Sequence, residues 1–260
     1  FDVTNLLTLD LKIDKEKINP GSNFEITGNV KDTYGNNLNK GSFIIKFNNN
    51  EYKGNIISGE IFYKISVDNF IKTGVQNVVV EVYDENKNKG TGSLSINILP
   101  RAENIKVNIE KDSYKPGENL KIKAVVYDQG GDILNKDIKI EIRNSNNDKI
   151  IEKILNGDFE FGLSLNSRPG EWLIKAISGG LKDERKFYVG EVENLIFRID
   201  GQNLVITNNG NVPFDSNINI KLEGISESLT INKKIHLDPG KNIDFDLGKD
   251  VRTGLYKVII

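Results

Sequence analysis

One histidine stands in the chain, His236, within Ile235-His-Leu-Asp-Pro-Gly240. A serine–histidine pair or an imidazole metal site would need partners from other strands, and no motif announces one. Its place just before a Pro-Gly turn reads as an exposed strand end. Carboxylates are plentiful, with Asp10, Asp14, Asp84, Glu85, Asp244, Asp246 and Asp250 among them. Pairs at the right separation would suit glycoside hydrolysis or calcium binding. No Asp-x-Asp-x-Asp-Gly loop occurs, so they read as solvated surface, with a calcium-stabilised loop as the alternative. Cysteine is absent, which removes disulfides, thiolate metal sites, cysteine nucleophiles and thioester chemistry together.

Trp172, Tyr127 and Phe161 would make an aromatic platform for a sugar if strand topology gathered them. The corresponding positions of an internal repeat carry Gln76, Lys31 and Tyr63, so no such platform is shared. Trp172 also falls in the inward phase of its strand, which reads as core. Three polar loops are open to recognition: Asn48-Asn-Asn-Glu51, Asp84-Glu-Asn-Lys-Asn-Lys-Gly90 and Asn144-Ser-Asn-Asn-Asp148. Each also has the composition of a plain hydrophilic turn. The lysines from Lys12 to Lys17, and Lys233-Lys234, read as solvated faces or as edge protection.

The elements that would position these residues follow from a repeat. Lys111-Asp-Ser-Tyr-Lys-Pro-Gly117 leads into Leu120, Ile122 and Ala124, then Asp128-Gln-Gly-Gly131 and Leu134-Asn-Lys136. About 96 positions earlier, Lys15-Glu-Lys-Ile-Asn-Pro-Gly21 leads into Phe24, Ile26 and Gly28, then Asp32-Thr-Tyr-Gly35 and Leu38-Asn-Lys40. Downstream, Gly59-Glu-Ile-Phe-Tyr-Lys-Ile-Ser-Val67 matches Gly157-Asp-Phe-Glu-Phe-Gly-Leu-Ser-Leu165. Self-similarity at this length means tandem domains. Asp32 and Asp128 recur because an Asx residue opens the same turn in both copies.

Within each copy the period is two. Ile138, Ile140 and Ile142 alternate with Lys139, Glu141 and Arg143, the pattern of an antiparallel sheet with one wet face. No stretch sustains a 3.6 period, so almost no helix is expected. Pro20, Pro116, Pro169 and Pro239 each precede Gly, the signature of type II turns. Short strands between such turns predict immunoglobulin-like sandwiches. One register is ambiguous: alignment puts Ser42, Ile44 and Lys46 inward, whereas a slip of one residue buries Phe43, Ile45 and Phe47. Burying Lys46 unpaired is costly, so the second register is preferred. The last seventy or so residues differ. Leu204-Val-Ile-Thr-Asn-Asn-Gly-Asn-Val-Pro213, Ile218, Ile220, Leu222, the Leu237-Asp-Pro-Gly240 turn and Gly254-Leu-Tyr-Lys-Val258 read as a smaller sandwich of six or seven strands.

The pattern Tyr114-x-Pro-Gly-Glu-x-Leu120, Val126-x-Asp128-x-x-Gly131-x-x-Leu134 and Pro169-Gly-x-Trp172 resembles prokaryotic surface immunoglobulin-like domains of the macroglobulin type. Ile206-Thr-Asn-Asn-Gly-Asn-Val-Pro213, with Asp238-Pro-Gly240 and Gly254-x-Tyr256, is similar to the cell-adhesion-related domain of bacteria and archaea. The resemblance implies an all-β chain of three consecutive sandwiches in an extended arrangement. Residues 1–8 form a leading segment, 9–99 and 100–190 the two repeats, and 191–260 the adhesion-type sandwich.

Charge excludes some roles. Lys plus Arg number 35 against 37 for Asp plus Glu, so no nucleic-acid partner is implied. No apolar run is long enough to span a membrane. The chain starts at Phe1 and holds no Met, so it reads as a mature or trimmed piece. Asn-x-Ser/Thr is missing despite abundant Asn, which fits an unglycosylated protein. The expectation is a non-catalytic spacer or envelope component at the cell surface, with other surface proteins or glycans as partners. An adhesin using the sandwich-end loops is the alternative. The short linkers Leu99-Pro-Arg-Ala-Glu103 and Val189-Gly-Glu-Val192 favour the spacer. A macroglobulin-like trap would need the thioester that this chain cannot form. No catalytic, cofactor-binding or metal-ligating residue is assigned, and no cofactor is expected. The apolar leading segment, Phe1 to Thr8, suggests a strand laid on the first sandwich or donated to another chain.

Overall fold

The computed structural model describes residues 6–249 and 251–260. Among them every regular element is a strand except one 3₁₀ turn at Leu247–Lys249. They form two units, one of residues 1–104 with 126–136 and one of 105–125 with 137–260.

In the first unit the strands are β1 (Thr8–Ile13), β2 (Lys17–Ile18), β3 (Asn23–Lys31), β4 (Lys40–Phe47), β5 (Asn50–Ile57), β6 (Glu60–Ser66), β7 (Gly74–Asp84) and β8 (Lys89–Ile98). They make one sheet in the order β1-β3-β6-β5-β4-β7-β8-β2. Its two halves face each other. Phe24 of β3 and Phe47 of β4 are far apart in strand order, yet their rings meet edge to face at 5.4 Å. Alternation explains the core: Phe43, Ile45 and Phe47 are buried with Val78, Val80 and Val82 of β7, while Lys46 points outward and pairs with Glu81 at 3.2 Å. The register that spares Lys46 is therefore the one adopted. Residues 1–5 of the leading segment lie outside the described residues. Leu7 is buried in this core, and its N–H donates to the Lys89 carbonyl.

The second repeat runs through β9 (Ala102–Ile109), β10 (Ser113–Tyr114), β11 (Asn119–Asp128), β12 (Ile133–Leu134), β13 (Ile138–Arg143), β14 (Lys149–Leu155), β15 (Asp158–Gly162), β16 (Gly170–Ser178) and β17 (Leu181–Val189). One sheet is ordered β10-β17-β16-β13-β14; the other is β12-β11-β15, with β9 beside β11. The end of β11 and β12, within 126–136, belong to the first unit. β14 is an edge strand here, whereas its counterpart β5 bridges to β6 through Ile57 and Glu60. On that edge Lys153 lies opposite Ile140, on the core side, with its ammonium 4.7 Å from the Phe159 ring. An inward-pointing charge on an edge strand blocks pairing with other chains.

In both repeats the short strand that follows β1 or β9 pairs in parallel with the last strand. Lys17 and Ile18 meet Asn97 and Ile98, and Ser113 and Tyr114 meet Tyr188 and Val189. The third sandwich comprises β18 (Leu195–Asp200), β19 (Asn203–Asn208), β20 (Phe214–Glu223), β21 (Ser228–Leu237), β22 (Asn242–Asp246) and β23 (Lys257–Ile259), in sheets β18-β19-β22 and β21-β20-β23. Leu204, Ile206, Ile220, Leu222 and Leu237 fill the space between them.

Three of the four Pro-Gly corners are closed turns, with Ser22, Glu118 and Lys241 N–H groups donating to Asn19, Lys115 and Asp238 carbonyls. Gly21, Gly117 and Gly240 take φ values of 77°, 84° and 74°. The fourth departs from the type II expectation. Gly170 (φ 112°) begins β16 directly, and the Pro169 carbonyl accepts from Ser145 Oγ at 2.7 Å. The β4 register has a direct check: Ile45→Ala should cost about 2–5 kcal/mol in urea unfolding, against under about 1 kcal/mol for Ile44→Ala. Equal losses would mean the strand is not held in this register.

Candidate functional site

The residues singled out for chemistry are scattered. His236 is exposed on β21, 3.7 Å from Asp215 and 3.5 Å from Asp238. Trp172 is buried, packs on Phe187 at 5.8 Å, and its Nε1–H donates to the Arg168 carbonyl at 2.8 Å. Tyr127 faces the opposite side of β11 from the buried Ala124 and Val126. Among the described residues no three of Asp, Glu and His gather to hold a metal ion. Asp250 lies outside the described residues. Asp14 accepts the Glu25 N–H at 2.7 Å, which holds its carboxyl below the usual range. A cavity of about 300 Å³ in the third sandwich is lined in part by Leu222, Leu247, Val251, Tyr256 and Val258, which belong to that sandwich's core.

The polar loops are largely spent on their own backbones. Asp84 Oδ1 accepts from Asn86 N and Asn88 N, each at 2.8 Å, and Asn88 Nδ2 donates to Asp84 Oδ2 at 2.7 Å. Asn144 Oδ1 accepts from Asn146 N and Asp148 N at 3.0 and 2.9 Å, and its Nδ2 donates to Asp148 Oδ2. Asp32 and Asp128 hold the same five-residue turn. Four turns thus share one device, an Asx side chain accepting the N–H groups two and four residues on. Asn48 and Asn49, both at positive φ, simply turn β4 into β5.

The constellation that does converge was read only as a turn in the sequence. Within the first unit Gln129, 5% exposed, follows Asp128 at the end of β11. Its N–H donates to the Arg101 carbonyl at 3.1 Å, and its Oε1 accepts the Arg101 N–H at 2.8 Å. Its Nε2 donates to the Ile71 carbonyl at 3.0 Å and to Thr73 Oγ1 at 2.9 Å. Thr73 Oγ1 in turn donates to Asp128 Oδ2. Gly130 packs tightly beside it: a Cβ there would lie 3.0 Å from Lys72 Cα, so a side chain would force that backbone to shift by a few tenths of an ångström.

The second unit repeats this arrangement with other residues. Asn211, 4% exposed, sits in the turn after β19. Its N–H donates to the Val192 carbonyl at 3.0 Å, and its Oδ1 accepts the Val192 N–H at 2.7 Å. Its Nδ2 donates to the carbonyls of Ser167 at 2.9 Å and Gly190 at 2.8 Å. Gly210 passes so close that a Cβ would stand 2.2 Å from the Val192 carbonyl oxygen. Behind it Asn208 opens the turn, accepting the Gly210 N–H at 2.9 Å, as Asp128 accepts that of Gly130. In both units one amide residue pairs with a linker residue at two points, through its backbone N–H and its side-chain oxygen, and its side-chain NH2 then reaches a carbonyl of the loop before β7 or β16. These are clamps on the linkers. The sequence hid them because Gln129 comes one residue after its Asx and Asn211 three after, so no fixed spacing marks the amide.

No family model and no curated protein matches the chain. Among solved structures it is similar to a tetra-tandem repeat from the extending region of a large adhesion protein, at 16% identity and TM-score 0.38, covering 94% of this chain and 66% of that one. It is also similar to the Yersinia pseudotuberculosis adhesin InvE, at 14% identity and TM-score 0.38, covering 82% and 70%. Escherichia coli alpha-2-macroglobulin follows at 10% identity and TM-score 0.32, covering 94% and 21%. The chain thus spans just under two thirds of the first and about a fifth of the macroglobulin. At this distance the likeness says nothing of ligand or partner.

Asp128 makes the first clamp sensitive to acid. Burial pushes its carboxyl up, but the Thr73 hydroxyl and the N–H groups of Asp132, Gly130 and Gly131 outweigh that, and it titrates below the usual range. A carboxyl lowered in the folded state stabilises above its unfolded value, near 4, and that stability is lost as pH falls through the folded value. Asp128→Asn should cost about 1–3 kcal/mol at neutral pH and flatten the fall in urea midpoint below pH 4. An unchanged acid limb would remove Asp128 from the clamp's energetics.

Proposed function

We propose that the chain is a non-catalytic structural spacer of an extracellular, cell-surface protein, built from sandwiches in series. The observation that carries this reading is the clamp that occurs twice. A free linker of a few residues samples many directions, whereas a linker residue whose N–H is held by a buried amide oxygen and whose carbonyl is held by the same residue's backbone N–H has lost that freedom. Truncating the amide would strand carbonyl and N–H groups away from water, at about 1–3 kcal/mol each. Such an arrangement suits a part whose task is to hold its neighbours at a set spacing. The Ile206–Pro213 segment supports placing the third sandwich with the cell-adhesion-related type, and in this chain that segment supplies the Asn208–Asn211 clamp.

Two measurements test the spacer. With no native cysteine, spin labels can be placed on introduced cysteines in the second repeat and the third sandwich, both in the second unit. Pulsed dipolar spectroscopy should give a narrow distance distribution that broadens in Asn211→Ala; an equally broad distribution in the parent chain would reject a rigid spacer. Glycan and surface-protein arrays probe the adhesin alternative. They should stay blank, since the 84–88 and 144–148 loops bond to themselves, and binding abolished by changes in Asn144–Asp148 would overturn the reading.

A further inference from the structure

The loop that receives each clamp has a local signature of its own. In the first unit Gln76 Nε2 donates to the Lys72 carbonyl at 3.2 Å. In the second repeat Trp172 Nε1 donates to the Arg168 carbonyl at 2.8 Å, and in the third sandwich Tyr256 Oη lies 3.0 Å from the Arg252 carbonyl, its one proton shared between that carbonyl and Glu227. Each time a side chain four residues on seals the carbonyl of a basic residue. The residue just before that basic one supplies the clamp's acceptor, Ile71 in one case and Ser167 in the other. By its place before the basic residue the third acceptor is Val251, in a loop where Gly254, unlike Gly74 and Gly170, does not take a positive φ and the strand begins only at Lys257.

The residue types narrow the partner. Val251-Arg-Thr-Gly254 copies Ile71-Lys-Thr-Gly74 position by position, including the Thr that bridges Gln129 and Asp128, whereas Ser167-Arg-Pro-Gly170 has lost it. Ile71 and Ser167 are buried, at 3% and 6% exposure, while Val251 is half-buried; Thr253 and Gly254 are exposed where Thr73 and Gly74 are half-buried. Glu227 accepts the Arg252 N–H at 3.2 Å and also the Tyr256 hydroxyl, so the loop is tied at two points to one carboxylate. We propose that Val251–Gly254 is the acceptor half of a third clamp, for a further β-sandwich joined in series whose turn presents Asp-Gln-Gly-Gly as Asp128–Gly131 does. A second copy of this chain does not fit. Its leading turn reads Asp32-Thr-Tyr-Gly35, with Thr33 in place of the amide and the exposed Tyr34 where Gly130 must pass a basic residue's backbone.

This extends the spacer reading, but its test is separate from the spin-label experiment. Thr33→Gln with Tyr34→Gly gives the chain a leading turn of the required type. Domains in series meet at millimolar effective concentrations, so the head-to-tail contact between separate molecules should read out in that range. In backbone NMR the double variant should show concentration-dependent shifts at Val251–Gly254, and adding Thr253→Val should reduce them at least several-fold. The parent chain should show none. Absence of shifts in a double variant that folds like the parent would overturn the acceptor assignment. Equal shifts in the parent would make a second copy the partner and overturn the choice of occupant.

Discussion

A buried primary amide must find partners for both its donors and its acceptor, and that requirement organises the parts of this protein that are not plain sandwich. The cores need only alternating apolar residues. The joints need Gln129 and Asn211 to be satisfied on every side, and each is, by a linker residue and by a loop carbonyl. An unpaired amide there would be worse than an apolar residue, because its desolvation would go uncompensated. The joint is therefore specific: it forms fully or not at all.

The two repeats show how loosely the remaining turns are constrained. In the first repeat the five-residue Asx turn joins β7 to β8 and a two-residue turn joins β4 to β5. In the second the Asx turn joins β13 to β14, and Gly179-Gly180, both at positive φ, join β16 to β17. The long and short hairpins have changed places while the buried positions stay matched. Hairpin length is free where nothing packs against it; the turn after β11 or β19 is not free, because a clamp passes through it.

Most of the fold could be read from the residues because its causes are local. Alternation put Ile138, Ile140, Ile142 and Trp172 inside, and the cost of a buried lysine decided between Phe43 and Ser42 as the inward phase. The Pro-Gly corners were legible for the same reason, apart from Pro169–Gly170, where a strand begins at once. The clamps were not legible. Gln129 looks like one more polar residue in a hydrophilic turn, and only the close approach of Ile71 and Arg101, distant in sequence, makes it a buried anchor. The polar loops read as plain hydrophilic turns or as recognition loops, and composition alone could not show that Asp84 and Asn144 accept N–H groups two and four positions away.

The parallel pairing of the short strands β2 and β10 with the terminal strands β8 and β17 matters once tension is considered. A pull on the two ends of a repeat passes first through β1 or β9 and then reaches a two-residue pair of strands that run the same way, side by side. The ladder is then loaded in shear, with its hydrogen bonds sharing the force together, instead of being peeled open one at a time. Resistance of this kind is governed by the unfolding barrier and not by the equilibrium stability. A modestly stable sandwich with this strand order can hold a load that a more stable one with a peeling geometry would release.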